Sequence, residues 1–204
     1  MHNDLANEIN SAVSGANATA NIAEFGDSSI SVSSEYIFKV CEALKSTGFN
    51  VLQVISGVDY PPAEGETTGG YIEINYILAD FHGNRELIVK TNVERGPAEK
   101  LGKIDSVYNV WRAADWQERE CYDMLGVEFN NHPDFRRILC PDDWEGFPLR
   151  KDYVPAEKYR DMVINPEDKM NFYDREFFAK QKAADKAAKE QATAQVDGSG
   201  PAGE

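Results

Sequence analysis

The sequence predicts an α+β domain: a small mixed or antiparallel sheet with helices on one face, followed by an extended irregular C-terminal arm. Three observations predict it. Residues 71–79 and 87–93 place apolar side chains at every second position, the period of a half-buried strand. Residues 37–44 and 107–114 repeat instead at i, i+3, i+4 and i+7, the period of one helical face. After Phe129 neither period persists, although aromatic residues continue.

Residues 1–27 are rich in Asn, Ala and Ser and hold no Lys or Arg. They read as a loosely ordered N-terminal segment with room for a short helix from Asp4 to Val13. The α+β domain is expected over 28–128. Ile30 and Val32 alternate with serines as a short strand, and Ser33 or Ser34 can cap the helix that follows. Ile37, Val40, Cys41 and Leu44 form its inner face, and Gly48 ends it. Val51 to Val58 reads as a buried strand broken by Asp59-Tyr60-Pro61-Pro62. The alternating stretches Tyr71–Ala79 and Leu87–Val93 form a hairpin across the turn Phe81-His82-Gly83-Asn84. Glu94 to Lys103 reads as a charged loop. Ser106 can cap a helical run through Val107, Val110, Trp111 and Ala114. Asp115 with Glu118 resembles a capping box for a helix from Trp116 to Leu125, which Gly126 stops.

Residues 129–178 carry prolines at 133, 141, 148, 155 and 166 among scattered aromatics. Loops of this length inside compact domains are uncommon and usually functional or disordered. The aromatics argue against disorder. The segment is therefore expected to be an extended arm that wraps a partner protein and is ordered only upon it. Residues 179–204, Ala-, Lys- and Gln-rich and then Gly-Ser-Gly-Pro, read as a disordered tail.

Composition excludes several classes. The chain has 204 residues, with 21 Lys and Arg against 35 Asp and Glu, a formal charge of −14. A nucleic-acid binder needs cations to replace phosphate counterions, so no nucleic-acid partner is expected. Nothing approaches the roughly 20 apolar residues needed to span a bilayer, and the start Met1-His2-Asn3-Asp4 lacks signal-peptide character. Membrane association is expected only through a partner. Three cysteines, Cys41, Cys121 and Cys140, fit reduced thiols better than a disulfide framework.

The richest segment for chemistry is Glu118-Arg119-Glu120-Cys121-Tyr122-Asp123-Met124. Each helical residue advances about 100°, so Glu118 and Glu120 diverge and cannot form a catalytic pair. Glu120 and Asp123 share a face, and with His132 they offer a reading as a stand-alone metal-dependent hydrolase. The blander alternative is an acidic first turn that favours the helix dipole. Cys121, His132 and Cys140 supply three zinc ligands at most, without a paired Cys-x-x-Cys. Gly96 to Lys103 follows a strand, but its spacing and Ile104 do not fit a phosphate loop. No Gly-x-Gly-x-x-Gly occurs. No catalytic, cofactor-binding or metal-binding residue is therefore assigned. Arg136-Arg137 and Arg150-Lys151 sit among aromatics, where guanidinium forks buried in an interface would need carboxylate or carbonyl partners.

Glu118-Arg119-Glu120, Asp123, His132, Arg136 and Ile138 match, at the expected spacings, the signature of the C-type subunit of respiratory complex I, the 30-kilodalton subunit family of NADH-quinone oxidoreductase. The stretches His132–Leu139 and Pro141–Tyr153, which include Arg137, Trp144, Pro148, Arg150, Lys151, Asp152 and Tyr153, also resemble that family. So do Gly57-Val58-Asp59-Tyr60-Pro61 and Ala114-Asp115-Trp116. The resemblance covers roughly residues 25–160; Phe147 departs from it, standing where many members have His. It implies a non-catalytic subunit of the peripheral arm, on the cytoplasmic face of the bacterial inner membrane, without a redox centre of its own. The implied main partner is the D-type (49-kilodalton) subunit of complex I, with the B-type subunit nearby; together those two frame the quinone pocket. The implied holoenzyme uses NADH, FMN, iron–sulfur clusters and quinone. The same resemblance extends to the equivalent subunit of membrane-bound hydrogenase-type complexes.

Overall fold

The hairpin expected from the two alternating stretches lies at the centre of the sheet. A computed structural model describes residues 2–63, 69–97 and 100–164. The chain divides into two compact units, Met1–Val154 and Pro155–Glu204.

In the first unit, α1 (His2–Ala12), β1 (Thr19–Asn21) and β2 (Ser29–Ser31) precede a short 3-10 turn, Ser34–Tyr36, and α2 (Ile37–Ser46). Strands β3 (Val51–Tyr60), β4 (Tyr71–Asp80) and β5 (Arg85–Glu94) form an antiparallel meander. The five strands lie in the order β1-β2-β5-β4-β3, with β2 parallel to β5. The chain therefore crosses from β2 at one side to β3 at the far edge, through α2. Period-2 alternation turns Ile72, Ile74, Tyr76 and Leu78 to one face, opposite Val93, Thr91, Val89 and Leu87 respectively. All eight are buried. Burying one such aliphatic side chain fully is worth about 1.5–3 kcal/mol. The remaining elements are β6 (Gly102–Asp105), α3 (Ala114–Leu125) and β7 (Val127–Asn130), with β6 and β7 paired in parallel.

Several expectations need correction. Residues 2–18 pack into the core, with Leu5, Ala6 and Ile9 of α1 and then Val13, Ala16 and Ala18 buried, while residues 21–27 are exposed. These small and aliphatic side chains share one helical face and its continuation, so the segment gains burial despite its polar composition. The serine cap of α2 does not form, since the 3-10 turn intervenes and Ser33 makes no side-chain capping bond. The strand β3 runs through Asp59 and Tyr60 rather than ending before them. Residues 107–113 are successive turns, not a helix, although Val107, Val110, Trp111 and Ala114 are buried as their spacing demands. Ser106 does cap this run, accepting the Tyr108 N–H at 3.1 Å. The short strands β6 and β7 were not legible, because four residues carry too little periodicity.

In the second unit, Lys158–Tyr159 (β8) pairs antiparallel with Met162–Val163 (β9). The expected tail 179–204 and the end of the expected arm, 165–178, lie outside the described residues.

Candidate functional site

The helix α3 organises the signature. Glu118 and Asp123 are fully buried and Arg119 nearly so, while Glu120 is exposed. Gly126 ends the helix in the left-handed conformation, φ 73°. The capping box is corrected: no side chain caps α3. Glu118 instead reaches out of the helix into the fold, accepting Ser106 Oγ–H at 2.6 Å and the Val107 N–H at 2.7 Å. Burial pushes its carboxyl up to about 7, against the lowering effect of those two bonds. His132, whose side chain is also fully buried, sets Nε2 3.2 Å from the Asp115 carbonyl oxygen and 3.9 Å from the Glu118 carboxylate. Arg119 lies 3.5 Å from both Asp115 and Asp134 and stacks over Trp116 at 4.8 Å. Its Nε also donates to the Arg136 carbonyl.

Asp123 is the second anchor. Its Oδ2 accepts the backbone N–H groups of Ile138, Leu139 and Cys140 at 3.1, 2.7 and 2.8 Å. Its Oδ1 accepts Arg137 Nη1–H at 2.5 Å. Burial alone would raise the Asp123 carboxyl, but these four donors outweigh it and hold the group below the ordinary aspartate value. The other guanidinium nitrogen of Arg137 donates to the carbonyls of Trp144 and Gly146.

Arg150 forms the third anchor. It donates to the carbonyls of Leu125, Gly96 and Gly126, and its guanidinium stacks on Phe147 at 4.7 Å. Phe147 is buried against Gly126. Pro148 is half-buried, and Leu149 donates its N–H to the Met124 carbonyl at 3.0 Å. Next to it, Asp59 accepts Arg95 Nε–H at 2.5 Å and the Lys151 N–H at 2.7 Å. Arg95 also donates to Asp152 at 2.5 Å. Tyr153 packs over Gly146, close enough that a Cβ there would sit 3.3 Å from the ring.

The segment 131–154 is thus irregular, as expected, but its anchors lie in its own domain. Arg137, Arg150 and the Lys151 backbone find their carboxylate and carbonyl partners within the chain rather than on another protein. Arg136 differs: its side chain is 68% exposed and pairs with Asp134 at the surface. The structure does not bring Glu120, Asp123 and His132 together as the hydrolase reading requires. Glu120 points to solvent while Asp123 is buried in its own bonds, because positions three apart still diverge by about 60°. Cys121 is buried and its thiol is pushed up to about 12 by burial, away from metal-binding character. Among the described residues no three His, Cys, Asp or Glu side chains converge as a metal site. Sequence reading missed Arg95, the bond from Ser106 to Glu118 and the anchoring role of Asp59. The only available signal was Asp59 itself, an acid within an apolar strand.

The sequence model for "Respiratory-chain NADH dehydrogenase, 30 Kd subunit" matches residues 30–159. The chain is 46% identical over 116 residues to the C-type subunit of NADH-quinone oxidoreductase from Chlorobium phaeobacteroides, covering 57% of this chain and 64% of that protein. The match therefore spans a little under two thirds of that relative's length. It is 40% identical over 131 residues to the J-type subunit of NAD(P)H-quinone oxidoreductase from Prochlorococcus marinus strain NATL1A, covering 64% of this chain and 73% of that one. In fold it is similar to a chain of the membrane-bound sulfane sulfur reductase, an archaeal respiratory membrane complex. That similarity has a TM-score of 0.62 at 24% identity and covers 83% of this chain and 98% of the other.

Proposed function

The chain belongs to the 30-kilodalton subunit family of the respiratory-chain NADH dehydrogenase, and from that membership we propose that it is a non-catalytic structural subunit of the peripheral arm of a proton-translocating NADH:quinone oxidoreductase. In this reading it docks mainly on the D-type, 49-kilodalton subunit, with the B-type subunit nearby, at the cytoplasmic face of the bacterial inner membrane. It holds the quinone-site subunits in geometry, where a displacement of about 1 Å can cost on the order of a hundredfold in rate. NADH, FMN, iron–sulfur clusters and quinone are assigned to the other subunits. No helix among the described residues is long and apolar enough to cross a membrane.

One observation carries the reading. The signature region shows large apolar side chains to solvent from backbone that is tied down. Trp116, Leu139 and Leu149 are 64%, 61% and 59% exposed. Yet Leu139 donates its N–H to Asp123, Leu149 donates to Met124, and Trp116 rides on α3 beneath Arg119. Apolar groups held in fixed positions at the surface favour docking, because little conformational entropy remains to be lost. The Asp123 anchor, the Leu149–Met124 backbone bond and the Arg119 stack are what hold them.

The experiment is mass spectrometry of the proteins that co-purify with the tagged chain from native membranes. Co-purification with flavin-bearing, iron–sulfur and quinone-site subunits supports the reading. Recovery of a hydrogenase-type set identifies the related complex instead, and recovery of the chain alone contradicts both.

A further inference from the structure

A cleft of about 770 Å³ opens beside the Asp59–Arg95–Asp152 cluster, at the start of β4 and the end of β5. That volume falls within the range of roughly 300–1,000 Å³ typical of ligand sites. Pro62, Pro97, Phe147 and Tyr153 line it with apolar surface, and Glu94 and Glu145 supply carboxylates.

The charges of the cleft decide what it suits. Arg95 is engaged by Asp59 and Asp152. Arg150 is engaged by the carbonyls of Leu125, Gly96 and Gly126. Neither guanidinium is therefore offered to an anion. Asp152 in the lining and Asp59 behind it balance the two arginines, which leaves Glu94 and Glu145, both solvent-exposed, as the unbalanced charges among the described residues of the cleft and the cluster beside it. Long basic side chains bury their methylene stems along apolar surface while the charged head stays polar. Proline and aromatic walls with carboxylates beside them match both ends of such a side chain, and the half-buried Tyr153 ring, unlike Phe147, which Arg137 and Arg150 already stack on, adds cation–π attraction.

We infer that this cleft receives a lysine- or arginine-bearing segment of a partner subunit. The inference rests on the proposed role within a complex. It adds a second contact, distinct from the exposed apolar residues of the signature, and names the chemistry of what docks there.

The test uses the full-length chain in its native complex. Three tagged variants are compared with wild type for retention in the assembled enzyme: E94R/E145R, E94Q/E145Q and the control E86R. Glu86 is an exposed carboxylate at the opposite end of β5. Retention of E94R/E145R is expected to fall at least about tenfold, with E94Q/E145Q intermediate and E86R near wild type. The thermal midpoint of each isolated variant is measured alongside. If the reversal lowers that midpoint, E94Q/E145Q decides, since it removes charge and keeps shape. Retention of the Gln variant at the wild-type level then overturns the inference. So does full retention of E94R/E145R, or an equal loss in E86R. A wild-type chain that enters no complex overturns the proposed membership of a complex and this inference together, and is recognised by the wild-type lane alone.

Discussion

Arg137 closes on Asp123 from outside the helix, with Nη1 2.5 Å from the carboxylate and 3.1 Å from the carbonyl oxygen of the same residue. The second carboxylate oxygen gathers the N–H groups of residues 138–140. The second guanidinium nitrogen takes the carbonyls of Trp144 and Gly146. One ion pair thus fixes two stretches of a segment with no regular structure. Breaking a buried pair by removing one partner typically costs about 3–5 kcal/mol. Asp123→Asn keeps the volume but turns an amide donor toward other donors. Urea unfolding of the variant is expected to show a loss of that size, and a loss under about 1 kcal/mol would contradict the anchoring role.

Arg136 and Arg137 are adjacent in sequence yet differ in kind. Arg137→Ala is expected to lower chain stability by about 3 kcal/mol or more, because the buried Asp123 charge loses its partner. Arg136→Ala should stay within about 0.5 kcal/mol of wild type, since its pair with Asp134 is solvent-exposed. Thermal melts of the two single variants separate them, and equal effects would refute the assignment.

Glu118 makes stability fall as pH rises. Its carboxyl is raised from 4.5 to about 7 by burial, so the folded chain binds this proton more tightly than the unfolded chain. The penalty is absent below pH 4.5 and fully developed above pH 7, on the order of 3 kcal/mol. Asp123 acts in the opposite sense at lower pH: its value is depressed, so its contribution is lost as pH falls below about 4. Unfolding free energies measured at pH 5 and pH 8 should therefore fall more steeply in wild type than in Glu118→Gln. Parallel curves would show that Glu118 titrates normally.

Gly126 is needed for two reasons. Its φ of 73° disfavours any side chain, and a Cβ there would meet the Phe147 ring at 2.5 Å. Gly126→Ala is expected to cost about 1–2 kcal/mol of left-handed strain and about 1–3 kcal/mol of overpacking. Phe147→Ala empties the same contact from the other side and is expected to cost about 3–5 kcal/mol. Each is read from a chemical melt. A Gly126→Ala chain as stable as wild type would contradict both the strain and the Phe147 contact, whereas a loss confined to about 1–2 kcal/mol would mean that Phe147 yields.

Much of this architecture was legible because it rests on local period. Ile72, Ile74, Tyr76 and Leu78 alternate, and Ile37, Val40, Cys41 and Leu44 repeat as a helix, so strand, helix and buried face follow together. The site was legible only in part. Its residue types stood out as a motif, but their roles depend on partners far away in sequence. Glu118 looked like a cap because the cap geometry is local, whereas its real donors, Ser106 and Val107, lie in a run of turns. Arg150 and Asp59 are joined to the rest by contacts across more than 50 residues, such as Arg150 with Gly96 and Lys151 with Asp59, and no period encodes those. The N-terminal segment misled because polar composition hid one well-placed apolar face.

The central claim is that this chain acts by shape, supplying position rather than a reacting group. The direct measurement is NADH:quinone turnover per assembled complex in membranes carrying Asp123→Asn, with assembled complex counted from bound flavin. The account predicts fewer assembled complexes, each turning over at the wild-type rate. A normal number of complexes that each turn over slowly would contradict it.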